Sequence, residues 1–362
     1  MTTSDTEYVK QSEGAAEQPA DGNHQLEPEA IGASSEAETP LPFYVPIQQG
    51  LIDVENRLQR ELSSNHPMLE EIFSHGRNLS GKRLRPALTL LCSQACGEIG
   101  LKHLTCAAVM ELIHLASLVH DDILDESDLR RHQKTVNARW NNELAVLFGD
   151  LLLARSVNLA ASLEDIPCYN IIAQTSAKLC EGELLQIVNR GNYDLSEEMY
   201  YNIISGKTAS LIECSCRLGA MCSGADEATV QHFAKFGSHL GIAFQIIDDL
   251  LDLSGDENSV GKTLGQDIKK QKATLAVIFA LQCVSVEKRA GIIQDVQASA
   301  NPVETLMPWL KRTNALEYAK KAAEKHVALA LQELESFTPP ESGMAALDSL
   351  KRLTQFVLTR DR

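Results

Sequence analysis

From residue 43 to the C-terminus, apolar positions recur every three to four residues, and strand-like alternation bounded by turn residues is missing. This period predicts helices over 47–62, 82–96, 103–125, 143–162, 169–189, 196–222, 227–253, 272–283 and 315–335. Breaks are expected at Pro67, Gly81, Gly97 to Gly100, Pro167, Gly191-Asn192, Gly224, Gly255, Pro302 and Pro339-Pro340. The expected fold is all-α, a large single-domain bundle of ten or more helices whose longest apolar members are central.

Two of those helices end in the same acidic pattern. Asp121-Asp122-Ile123-Leu124-Asp125 follows ELIHLASLVH, and Asp248-Asp249-Leu250-Leu251-Asp252 follows HLGIAFQII. Residues three and four apart share a helical face, so each pattern crowds three carboxylates whose repulsion weakens the helix. One such cluster alone also reads as a solvated acidic helix end. Two copies, each closing an apolar helix, point instead to a hard cation. All-carboxylate donors suit Mg²⁺, which completes its octahedron with water and phosphate oxygens. The pattern therefore implies an enzyme that grips a polyphosphate through magnesium between two helices.

Composition narrows the class. The first forty residues hold nine acidic residues against a single Lys10, half of the chain's net charge of −16. Such a segment buries no core, so 1–42 is expected to be a disordered acidic tail and 43–362 the folded domain. The tail has no apolar run for a secretory signal and is too acidic for a mitochondrial one. No window of eighteen wholly apolar residues is present, so no transmembrane helix is expected. The acidic balance argues against nucleic-acid partners. Nine scattered cysteines without C-x-x-C spacing read as reduced, buried thiols of a cytoplasmic protein.

Cations surround the acids in sequence. Gly81-Lys82-Arg83-Leu84-Arg85-Pro86 opens a helix with three cations, where the macrodipole disfavours them unless an anion is held there. An ordinary basic turn is the alternative. Arg130-Arg131 follows the first acidic cluster, and adjacent residues on regular backbone point apart, so the pair can serve two anions. Gly206-Lys207-Thr208 interrupts an apolar helix, where a glycine costs about 1 kcal/mol against alanine. A kink there would aim Lys207 inward; a tolerated glycine beside a snorkelling lysine is the other reading. Gly261-Lys262 and Lys272 add positive charge near the second cluster.

GKRLRP, HDDILDESDLRR, GKT, FQIIDDLLD and GKTLGQD, in this order, resemble the trans-isoprenyl diphosphate synthase family, in particular its long-chain polyprenyl members. The resemblance runs from about residue 45 to the C-terminus. It implies that Asp121, Asp122 and Asp125 bind two of three Mg²⁺ ions on an allylic diphosphate, and that Asp248, Asp249 and Asp252 bind the third. It implies that Arg130, Lys207 and Lys262 contact the allylic diphosphate, while Lys82, Arg85, His114 and Arg131 hold isopentenyl diphosphate. Thr208 and Gln245 would line the reacting centre, with the allylic cation attacked by the isopentenyl double bond and the proton lost to departed diphosphate. His120 reads as a packing residue rather than a base. A homodimer is implied, as is transient membrane association for product release. His132-Gln133-Lys134 stands where the family usually has a glycine-led turn, and Ala276 where proline is common.

Chain length is read from the helix before the first cluster. Ala116 and Ser117 lie one turn below Asp121, with Ile113 next, and all lack the aromatic ring that short-product relatives tend to place there. Small residues leave a path for a product of roughly C30–C50, of the kind that serves as a quinone side chain, though they also permit close helix packing. The competing readings are a farnesyl or geranylgeranyl synthase with its floor elsewhere, a subunit of a heteromeric synthase, and a terpene cyclase. Retention of every acid and cation argues against the second, and the cations for a second diphosphate against the third.

Overall fold

Apolar stripes of period 3.6 pack here as helices around two central ones. The computed structural model describes residues 42–79, 81–254 and 265–360. Those residues belong to one compact unit. A 3₁₀ turn over Pro42–Ile47 buries Phe43, Tyr44 and Ile47. The helices then run α1 (Gln48–Glu61), α2 (Pro67–Asn78), α3 (Leu84–Cys96), α4 (Leu101–Leu124), α5 (Val136–Arg139), α6 (Asn142–Ala161), α7 (Ile166–Val188) and α8 (Glu197–Ile204). A π-helical segment, Ser205–Ala209, joins α8 to α9 (Ser210–Cys222). There follow α10 (Glu227–Ser254), α11 (Gln266–Lys269), α12 (Leu275–Gln282), α13 (Val286–Ala298), α14 (Pro302–Arg312), α15 (Ala315–Glu335) and α16 (Met344–Thr359). Of the tail expected over 1–42, all but Pro42, which opens the 3₁₀ turn, lies outside the described residues.

Helix α4 packs mainly against α3 and α6, and α10 against α9 and α15. Every residue from Cys106 to Ile113 is buried, so α4 is apolar on all sides, as a central helix must be. Each fully buried Leu or Met there, such as Met110 and Leu112, contributes about 1.5–3 kcal/mol.

Three expectations need correction. Pro67 and Pro302 are not breaks: each is the first residue of a helix, where its missing N–H costs nothing, and α2, α13, α14 and α16 all went unread. A strand pair exists, although only two residues long: β1 (Leu129–Arg130) pairs antiparallel with β2 (Gln133–Lys134). Two helices, α4 and α6, are also long and apolar enough to cross a membrane, because an Ala/Leu/Val-rich stretch passes that test despite its scattered polar residues. In α4 that stretch is 72% buried inside the fold, which marks a core helix; in α6 it is 39% buried.

Candidate active site

The two acidic clusters end α4 and α10, and basic side chains from other elements lie between them. Asp122 is 2% exposed and gripped by Arg130: Nε donates to both carboxylate oxygens at 3.0 Å and Nη2 to Oδ1 at 2.8 Å. Asp125 meets three cations, Arg190 at 3.0 Å, Lys272 at 3.1 Å and Lys270 at 3.3 Å. Burial would raise the Asp125 carboxyl, but Lys272 and Lys270 outweigh it and hold it below the usual range. Lys207 pairs with Glu183 and stands 3.6 Å from Asp121. Burial works against its charge, yet Asp121 and Glu183 hold the ammonium above its ordinary value.

The second cluster is held differently. Asp249 accepts from Tyr200 Oη at 2.7 Å and from Gln245 Nε2 at 2.8 Å, and Gln245 Oε1 accepts from Thr208 Oγ1 at 2.7 Å. Thr208 and Gln245, paired in the sequence reading, are thus in contact. Burial, with Asp267 and Asp248 nearby, pushes the Asp249 carboxyl well up. Burial and Asp252 push Asp267 up to about 6, and Asp248 and Asp125 add to the effect. Asp252 turns to the backbone, accepting from the N–H groups of Gln266 and Asp267 at 3.1 and 3.0 Å. Asp248 is more than half exposed and lies 3.3 Å from Arg360.

The interruption at Gly206 is a π-helical turn, an irregularity typical of functional sites. Gly206 lets this segment approach α7 so closely that a Cβ there would lie 2.9 Å from Gly182 Cα. Gly182 is the reciprocal requirement, since its own Cβ would collide with the Lys207 N–H.

Arginines gather around His114, two turns before Asp121 on the same face of α4. His114 lies half-buried beneath them: desolvation first, then Arg85, Arg130, Arg131 and Arg83, hold its imidazole well below its ordinary value, so it is neutral. Burial lowers Arg85 to about 10, and its Nε is buried without a partner. Arg131 is lowered by burial and by Arg130, and its Nη1 donates to the Leu79 carbonyl at 3.1 Å. Arg83 is spent on structure, bonding Glu55 at 2.8 Å and Glu111 at 2.9 Å. A surplus of cations, one with an unsatisfied buried N–H, is what an anion would complete.

Backbone strain accompanies the cluster. Arg83, Arg131 and His132 have φ of 53°, 51° and 63°, in the left-handed region where non-glycine residues cost about 1–3 kcal/mol each. Arg131 and His132 form the two-residue turn of the hairpin, so the departure from a glycine-led turn is accommodated as strain. Gly81 matters for a different reason: a Cβ there would collide with the Arg131 guanidinium.

Lys262 lies outside the described residues. Ala116 and Ile113 are buried in the core, and the Ser117 hydroxyl donates to the His114 carbonyl at 2.8 Å. His120 packs on α6, its Nε2 3.2 Å from the Val146 carbonyl oxygen, as a packing residue should. Sequence reasoning missed Glu183, Arg190, Tyr200, Asp267, Lys270 and Arg360.

Among the described residues, no three His, Cys, Asp or Glu side chains already surround one metal position. The donor set nonetheless fits a hard divalent cation. Its donors are carboxylate oxygens, and neighbouring carboxylates add to the rise that burial gives Asp249 and Asp267, a crowding that a cation would relieve.

Comparison with known proteins matches residues 66–308 to the family described as Polyprenyl synthetase. The chain is 36% identical over 310 residues to the all-trans-nonaprenyl-diphosphate synthase (geranyl-diphosphate specific) of Rhodobacter capsulatus, covering 85% of this chain and 95% of the relative. It is 36% identical to heptaprenyl diphosphate synthase component 2 of Geobacillus stearothermophilus, covering 88% of this chain and 98% of the relative. A crystal structure of a Caulobacter crescentus polyprenyl synthase, complexed with calcium and isoprenyl diphosphate, superposes with a TM-score of 0.82 at 27% identity, covering 88% of this chain and 97% of that one.

Proposed function

The chain belongs to the polyprenyl synthetase family, and from that premise we propose that it is an all-trans polyprenyl diphosphate synthase making a long-chain product of roughly C30–C50 for quinone side chains. It joins isopentenyl diphosphate head-to-tail to an allylic diphosphate. The observation that carries this reading is two charged sites side by side: acids with Lys207, Arg190, Lys270 and Lys272 between two helix ends, and Arg85, Arg131 and His114 two turns before Asp121 on α4. The long product follows the names of the nonaprenyl and heptaprenyl relatives and the small side chains at Ala116 and Ser117.

Asp121, Asp122, Asp125, Asp248, Asp249 and Asp252 would hold Mg²⁺, in a family that is generally Mg²⁺-dependent, with three ions as the expected number. When bound, Mg²⁺ neutralises the leaving diphosphate. Lys207, Arg130 and Lys262 hold the allylic diphosphate, and Lys207 supplies positive charge as the C–O bond breaks. Lys82, Arg85, Arg131 and the neutral His114, which donates a hydrogen bond, orient isopentenyl diphosphate so that its double bond faces the allylic carbon. The Thr208 and Gln245 oxygens, bonded to each other, face the developing carbocation, and Asp249 with Tyr200 fixes Gln245. The proton lost after addition goes to the departed diphosphate.

A homodimer is supported by the apolar residues Val146, Leu147, Val157, Leu184 and Val188, exposed on α6 and α7. Cytoplasmic location and transient membrane contact for product release complete the reading. The name of the component 2 relative raises a second reading, a subunit of a heteromeric enzyme. The test is incorporation of labelled isopentenyl diphosphate into solvent-extractable product by the purified chain alone, with farnesyl diphosphate as primer. Magnesium-dependent incorporation, abolished by chelator, supports the proposal. No incorporation until a second polypeptide is added would favour the heteromer.

A further inference from the structure

Three thiols from three helices meet, and the one on α4 lies near the opposite end of that helix from Asp121. Cys222 closes α9, Cys168 lies in the first turn of α7, and Cys106 lies in the second turn of α4. Cys222 Sγ is 3.6 Å from Cys168 Sγ and 3.8 Å from Cys106 Sγ. Cys106 and Cys168 are buried, while Cys222 is only partly so. We propose that Cys222, Cys168 and Cys106 form a redox site at which a hydroperoxide oxidises Cys222 and a Cys168–Cys222 disulfide follows.

The geometry selects both the order and the pair. Cys222 is the member that solvent reaches, so it meets the oxidant first. Both neighbouring thiols can donate to its sulfur, and their S–H groups hold it below the ordinary thiol range. Its thiolate attacks one oxygen of the hydroperoxide and breaks the O–O bond. That gives a sulfenic acid on Cys222 and releases hydroxide or alkoxide. The Cys168 sulfur then attacks the Cys222 sulfur, the S–S bond forms and water leaves. Two thiols have lost two electrons, and the hydroperoxide has become water and an alcohol, or two waters when it is hydrogen peroxide.

An S–S bond is about 2.05 Å long, so the sulfurs must close by about 1.5 Å. Cys168 and Cys222 stand at helix ends, where small shifts are cheap, whereas Cys106 is set within the central helix α4. Cys168 is therefore the partner. The bridge would close a loop that contains the Lys207–Thr208 segment, tying the start of α7 to the end of α9.

The test uses the full chain carrying Cys180→Ser and Cys283→Ser, which removes the two exposed thiols. It is treated with hydrogen peroxide in chelator and analysed by intact mass and peptide mapping. The expected result is a mass loss of about 2 Da, reversed by dithiothreitol, with the 168 and 222 peptides linked. With Cys168→Ser added, the bridge should vanish and a sulfenic-acid trap should label Cys222. With Cys106→Ser added, the bridge should still form. Unmodified Cys222 at peroxide levels that oxidise free cysteine, or a bridge through Cys106 in place of Cys168, would overturn the proposal. Mapping of the double-serine protein decides the matter even if the further variants fail to fold.

Discussion

Alanine at Gly206 tests whether the close approach of α7 to the π-helical segment sets the position of Lys207. The added Cβ would stand 2.9 Å from both Gly182 Cα and the Lys178 carbonyl oxygen. Both are backbone atoms, so neither can rotate aside. Comfortable contact needs about 3.5 Å, so the two elements must part by roughly 0.5 Å or more. Overpacking of this kind costs about 1–3 kcal/mol. Alanine's better helix propensity returns about 1 kcal/mol. The net loss is about 0–2 kcal/mol, and the protein stays folded. Catalysis should suffer more than stability, because a misplacement of about 1 Å can cost about 100-fold. Lys207 and Thr208 move with the segment, so turnover is expected to fall about tenfold or more. The assay is steady-state turnover with both diphosphates saturating, beside thermal melting. Gly291→Ala is the control: it lies on α13 with no neighbour within 4 Å, and should melt slightly higher at full activity. Wild-type turnover in Gly206→Ala, with a melting temperature equal to or above that of the parent, would refute the positioning argument.

Asp121→Ala and Asp248→Ala should each lower turnover by orders of magnitude while circular dichroism stays unchanged; near-normal rates in either would defeat the metal roles. Arg131→Ala should mainly raise the Michaelis constant for isopentenyl diphosphate and Arg130→Ala that for the allylic substrate, because Arg130 is bonded to Asp122 of the first acidic cluster whereas Arg131 turns to the Leu79 carbonyl, just before the Lys82–Arg85 segment. Equal effects on both constants in both variants would contradict the division. Folding raises the Asp267 carboxyl from its ordinary 3.8 to about 6. Its contribution to stability is therefore fully present below about pH 4 and is lost as pH rises through about 6. In chelator, the melting temperature of Asp267→Asn should gain on the parent across that window; a constant difference would remove Asp267 as the cause.

The acidic clusters were legible because like charges at helical spacing, at the ends of apolar helices, have few structural uses. Arg190, Lys270, Glu183 and Tyr200 were not. Each is a single residue from another element, and nothing local distinguishes it from an ordinary surface charge or packed ring. Their roles arise from the way α7 and the turn after it, α8, and the residues from 265 onward converge on Asp121, Asp125 and Asp249. The fate of Asp252 was also hidden, because its backbone partners Gln266 and Asp267 lie 14 and 15 residues further along the chain. Central helices were readable from period alone. Helices α2 and α14 escape the pattern because proline reads as a stop where it is a start. The kink at Gly206 was anticipated from propensity, but its π-helical form depends on Gly182, which no local pattern connects to it.

Chromatography of the products from farnesyl diphosphate, isopentenyl diphosphate and Mg²⁺ tests the central claim most directly, with wild type beside Ala116→Phe. Ala116 is fully buried one turn below Asp121, so a phenyl ring there fills the direction away from the diphosphates, at a cost of about 1–3 kcal/mol. Wild type should release chains longer than about C20, centred in the range of roughly C30–C50, and the variant should stop near C15–C20 with early condensations largely intact. Wild-type products that end at C15–C20, matched by the variant, would contradict the long-chain assignment and remove position 116 from the path of the growing chain.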